Sequence, residues 1–126
     1  MGEVREMTDR YLMQLWSRAV RAQKGSYCNN PECRRPASGT HHIIKRRYRV
    51  LRYDVRNGLP LCSACHPMAD RNSAWALSLI SEDDREYLAE MGRYTLPEWL
   101  QFTGETRAEF LESEAAELKR IIREGE

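Results

Sequence analysis

The sequence predicts an α+β fold in which a short cysteine- and histidine-rich β segment is set between helices. Three observations predict it. All four cysteines and all three histidines fall between Cys28 and His66, a window of 39 residues in a chain of 126. Apolar residues recur at helical spacing on both sides of that window, and inside it Ile43, Ile44 and Leu59, Leu61 mark two short apolar runs. A single domain over residues 1–126 is expected, divided into an N-terminal helix (1–25), a ligand-bearing core (26–80) and C-terminal helices (81–126).

Each element has a local reason. Thr8 or Asp9 can cap a helix whose apolar positions are Tyr11, Leu12, Leu15, Trp16, Ala19 and Val20, with Gly25 as its stop. From Ser26 to Thr40 the chain is rich in Asn, Pro, Gly and Ser and reads as loop, so something other than apolar burial must order it. Two short strands around Ile43, Ile44 and Leu59, Leu61 would be joined by an arginine-rich loop. Pro67 suits a first helical turn, and Met68, Trp75, Ala76, Leu79 and Ile80 predict the buried stripe of one helix ending near Ser81. Ser81 with Asp84, and Thr95 with Glu98, fit the capping-box pattern; Gly92 and Gly104 separate the helices they begin. The last helix places Phe110, Leu111, Leu118, Ile121 and Ile122 on one face.

The opening MGEVREMTDR lacks the apolar core of a signal peptide, and no stretch approaches the ~18 unbroken apolar residues of a membrane span, so a cytoplasmic protein with no membrane partner is expected. In a reducing compartment four cysteines are expected as thiolate ligands or free thiols, not disulfides. The net charge of +1 hides an asymmetry: residues 24–66 hold nine basic residues against Glu32 and Asp54, a net of +7. A basic centre between acidic arms points to a local site for a polyanion.

Cys28-x4-Cys33 and Cys62-x2-Cys65 are two short-loop pairs, each able to place two thiolates on one tetrahedral ion, which predicts a structural zinc. Metal binding would also supply the folding free energy that the polar loop lacks. His41 and His42 are adjacent, so on a strand their side chains point to opposite sides and serve different purposes. His66 follows Cys65 at a helix start, where its ring can face the end of that strand.

The run HHIIKRRYRVLRYDVRNGLPLCSACH resembles the HNH nucleases, whose ββα-metal motif has a His pair or Asp-His on its first strand, an Asn in the connecting loop and a His on the helix. Those positions fall on His41, His42, Asn57 and His66, and the flanking cysteine pairs are similar to the zinc-bearing branch, particularly small phage-type and restriction-type members. The resemblance spans Ser26 to Asp70. It implies an ββα-metal core, with His42 as the general base that activates water and Asn57 as the residue that orients it. It further implies that His41 and His66 hold a catalytic divalent cation such as Mg²⁺, Mn²⁺, Ni²⁺ or Zn²⁺. Asp70, one turn after His66, stands where some relatives have a further ligand; an exposed acid at a helix start is an equal reading, and it is left outside the expected site.

Lys45, Arg46, Arg47, Arg49, Arg52 and Arg56 lie in or beside the loop and would meet DNA phosphates, giving affinity without sequence choice. The resulting expectation is a DNA endonuclease that hydrolyses phosphodiesters to 5′-phosphate and 3′-hydroxyl ends, as that family does. Two other classes stay open: a catalytically silent zinc-stapled nucleic-acid-binding or adaptor module, and a zinc-ribbon protein whose acidic last helix binds another protein. A protein partner or a homodimer through the flanking helices is compatible with all three.

Overall fold

A computed structural model describes residues 7–125. The order is α1 (Asp9–Lys24), β1 (Gly39–His42), a 3-10 turn (Val55–Asn57), β2 (Gly58–Leu61), α2 (Cys65–Arg71), α3 (Ser73–Ser78), α4 (Glu82–Met91), α5 (Leu96–Thr103) and α6 (Arg107–Glu124). This is an α+β arrangement with one two-stranded antiparallel sheet. Among the described residues, no helix is long and apolar enough to cross a membrane.

Helix α1 begins where the Thr8 hydroxyl accepts the Tyr11 amide and ends at Gly25, whose positive φ of 92° suits a residue without Cβ. The first six residues of the expected N-terminal helix region lie outside the described residues. Its stripe of Leu12, Leu15, Trp16, Ala19 and Val20 is buried against Ala115, Leu118, Ile121 and Ile122 of α6 and against Tyr53 and Val55 from the loop. The first and last helices therefore spend their apolar faces on each other, each large side chain contributing ~2 kcal/mol of burial. Helix α6 starts on a full capping box, Thr106 with Glu109, and α5 on the expected one, Thr95 with Glu98.

The strands sit slightly off the expected positions. β1 stops at His42, and Ile43 and Ile44 follow it; Gly39 pairs with Leu61 and His42 with Gly58. The reason is Asn57, whose buried carboxamide takes over the hydrogen bonding at Ile44, accepting its amide at 2.6 Å and donating to its carbonyl at 3.0 Å. Gly58 is required by close approach: a Cβ there would lie 2.3 Å from Val20 Cγ2 and 2.9 Å from Trp16 Cζ2, so α1 packs directly on β2.

The single helix expected from Pro67 to Ser81 is two. Asn72, at φ −138°, breaks it and uses its side chain to accept the Trp75 amide, starting α3 afresh. Met68, expected in the buried stripe, is 43% exposed, and α2 buries its neighbour Ala69 instead, with Ala76 buried on α3. At α4 the Ser81 hydroxyl accepts the Asp84 amide, but the Asp84 carboxylate does not return to the cap; it takes Arg56 at 2.8 Å.

Candidate functional site

The polar stretch after α1 is ordered around its cysteines. The Sγ atoms of Cys28, Cys33, Cys62 and Cys65 all lie within 4.8 Å of one another. Cys33 and Cys62 are 3.5 Å apart, and the Cys65 amide points at Cys62 Sγ from 3.4 Å. That amide, at the start of α2, holds the Cys62 thiol below its ordinary value, down to about 6, and so favours the thiolate. Sulfurs around a tetrahedral zinc with Zn–S of ~2.3 Å stand ~3.8 Å from each other, so the four cysteines could hold one zinc ion. Cys28, Cys62 and Cys65 belong to the same buried cluster as Leu59, Leu61 and Leu88. None of the four is in a disulfide.

β1 sends its two histidines different ways, as the pleat requires. His41 is buried and its Nδ1 lies 3.2 Å from Asp70 Oδ1; the rings of His41 and His66 meet edge to face with centroids 5.2 Å apart. His66 Nε2 is 3.8 Å from the same Asp70 oxygen. His41, His66 and Asp70 thus form a second group able to share one ion, two imidazoles and one carboxylate. Asp70, one turn after His66 on α2 and left outside the expected site because an exposed helix-start acid is an equal reading, is part of this group. Its side chain is 62% exposed, which leaves that flank open to water. Burial lowers the proton affinity of His41, keeping a neutral imidazole with a lone pair to donate.

His42 stacks on Trp16 of α1, with ring centroids 3.8 Å apart and planes within 12°. Its Nε2 donates to the Arg52 carbonyl at 3.0 Å, which fixes the tautomer and makes Nδ1 the proton-accepting nitrogen. Burial, assisted by the nearby charge of Arg46, pushes its pKa down to about 4. Asn57 does not touch His42; it accepts the Ile44 amide and donates to the carbonyls of Ile44 and Leu51, closing the loop from which the Arg52 carbonyl projects.

His41, His42, His66, Asp70, Lys45 and Arg46 all border one open cleft of about 550 Å³. The expected basic group divides. Lys45, Arg46, Arg47 and Arg49 are on the outer part of the loop, Arg46 with Asp9 as a 3.1 Å partner. Arg52 is drawn inward, donating to the Arg46 carbonyl at 2.8 Å, and Arg56 is held by Asp84 with its guanidinium 3.8 Å over the Tyr87 ring. Those two brace the loop. No protein-family model, no curated protein and no solved structure matches this chain.

Proposed function

We propose that this chain is a zinc-stapled, metal-dependent DNA endonuclease of the HNH type. The observation that supports it most is the placement, on one cleft, of a two-imidazole, one-carboxylate group beside a third histidine whose tautomer is set by a backbone carbonyl. A closed sulfur shell suits a structural ion, whereas a mixed nitrogen and oxygen set with an exposed flank suits a catalytic one. His41, His66 and Asp70 would hold the divalent cation, which when bound stabilises negative charge on the scissile phosphate.

The chain's own residues supply the rest. His42 Nδ1 accepts a proton from water as the water oxygen forms its bond to phosphorus; the P–O3′ bond breaks and the 3′ oxygen takes a proton from solvent. Trp16 and the Arg52 carbonyl hold the imidazole in place through that transfer. Lys45 and Arg46, on the rim of the cleft, meet the flanking phosphates.

The second reading, a silent nucleic-acid-binding or adaptor module, is favoured by the seat of His42 against Trp16, where burial lowers the proton affinity of the imidazole and weakens it as an acceptor. The two readings separate in one assay. Purified protein incubated with plasmid in Mg²⁺, Mn²⁺, Ni²⁺ or Zn²⁺ should nick it, and His42→Ala should cut about 10²–10⁴-fold more slowly with zinc content and folding unchanged. Absence of cleavage in every metal, or equal cleavage by His42→Ala, rejects the nuclease or the base respectively.

A further inference from the structure

A second cavity, of about 420 Å³, lies where the basic loop meets the turn between α4 and α5. Arg47, Arg49 and Arg93 border it together with Tyr48, Tyr94 and Pro97, and among the described residues no carboxylate residue does. Arg93 has Glu90 as a surface partner at 3.3 Å, and Arg47 lies 5.2 Å over the Tyr48 ring. Tyr94 packs edge to face against Trp99, ring centroids 5.3 Å apart, which restricts its ring. Three arginines with two tyrosines and a proline at one cavity suit one kind of ligand: an anion carried on a flat aromatic body.

The cavity is continuous in sequence with the histidine cleft. Lys45 and Arg46 border the cleft, and the next three residues, Arg47 to Arg49, border the second cavity. Lys45 to Arg49 spans at most ~14 Å of extended chain. That corresponds to roughly four nucleotide steps along one strand of B-form DNA. A strand whose phosphate lies in the cleft therefore reaches the cavity within a few nucleotides. Bases inside a duplex have no free face for a tyrosine, so an unpaired nucleotide fits and a paired one does not.

We propose that this second cavity receives an unpaired nucleotide of the substrate strand, its base on Tyr48 and Tyr94 and its phosphate on Arg47, Arg49 and Arg93, so that the enzyme prefers DNA with a single-stranded tail. The inference rests on the nuclease reading for the identity of the strand. Base–aromatic stacking together with one added phosphate contact is worth about tenfold in affinity.

The test is a fluorescence-anisotropy titration of the full chain with labelled duplex, blunt or bearing a short thymidine tail, alongside cleavage of the same DNAs in Mn²⁺. The wild-type chain should bind the tailed form about tenfold more tightly. That ratio should fall to near one in Arg93→Gln and in Tyr48→Ser, both changes at exposed positions. Equal affinity of the wild type for the two DNAs, or a ratio unchanged in both variants, overturns the inference while cleavage of blunt duplex still upholds the nuclease. A tail preference in a chain that cuts nothing upholds the cavity and removes the nuclease.

Discussion

The frame made by α1 and α6 and the segment from Cys28 to Arg71 are built on opposite principles. The frame is two amphipathic helices that bury Leu12, Leu15, Trp16, Leu118 and Ile122 against each other, and its stability is hydrophobic. The segment from Cys28 to Arg71 includes two four-residue strands, a long loop and the seven-residue helix α2, with Cys28, Cys62 and Cys65 buried beside Leu51, Leu59 and Leu61. Secondary structure that short does not hold itself in water, so order there depends on Asn57, on the buried cluster that joins Ile43, Leu51, Leu59 and Leu61 to Leu88 of α4, and on the frame beneath. The segment that carries the cysteines and histidines is held by a cluster gathered from several short elements, the frame by the match of two long helix faces.

Removing zinc should break the comparison most severely. Chelation, or Cys62→Ser with Cys65→Ser, should release one zinc per chain by elemental analysis and abolish amide-exchange protection from Cys28 to Arg71, a loss on the order of 10 kcal/mol. Finding no zinc in a folded preparation would remove the structural ion. Leu118→Ala probes the other half: a fully buried leucine on α6 truncated to alanine should cost about 3 kcal/mol, lower Tm by roughly 10 °C and leave the zinc content at one.

A third expectation concerns the loop that spans the two halves. On the proposed function, with Arg52 and Arg56 engaged internally, four of the six loop residues, Lys45, Arg46, Arg47 and Arg49, would meet phosphates, so log affinity against log salt should have a slope of about −3.6, not the −5.4 or so of six contacts. Affinity should drop about 100-fold between 50 and 200 mM salt, measurable by anisotropy. A flat titration would dispose of the electrostatic account.

The smallest effect belongs to the frame. Glu114 of α6 sits beside Asp54, Glu105 and Glu117, and burial, reinforced by those charges, pushes its pKa up to about 8. A carboxyl whose folded value is raised stabilises fully below its unfolded value of 4.5 and loses that contribution as pH rises through 8. Glu114→Gln should therefore raise Tm by about 4 °C at pH 9 and change it little at pH 5, as followed by thermal melts.

The parts of this arrangement that depend on neighbours in sequence were legible in it. Thr8 and Gly25 bound α1, Thr95 and Glu98 start α5, and the cysteine pairs foretell their cluster because two ligands on one short loop have few other places to go. What depends on distant neighbours was not. Nothing local says that α6 returns to α1, that Arg56 leaves the loop for Asp84, or that Asp70 faces His41 across the sheet end. The break at Asn72 was readable in principle, since an asparagine three residues before an amide it can cap is a start signal, but the apolar spacing from Met68 to Ile80 masks it.

Asn57 is followed by Gly58, and an asparagine before a glycine is the dipeptide most exposed to spontaneous ageing, because the glycine amide nitrogen can attack the side-chain carbonyl and release ammonia. In the folded protein both participants are occupied: the carboxamide is pinned at Ile44 and Leu51, and the Gly58 amide donates to the Val55 carbonyl. An aspartate in that place would set a negative charge against two backbone carbonyls. The clasp is thus also a chemical shield, and a chain held unfolded would acquire a lesion that refolding does not repair.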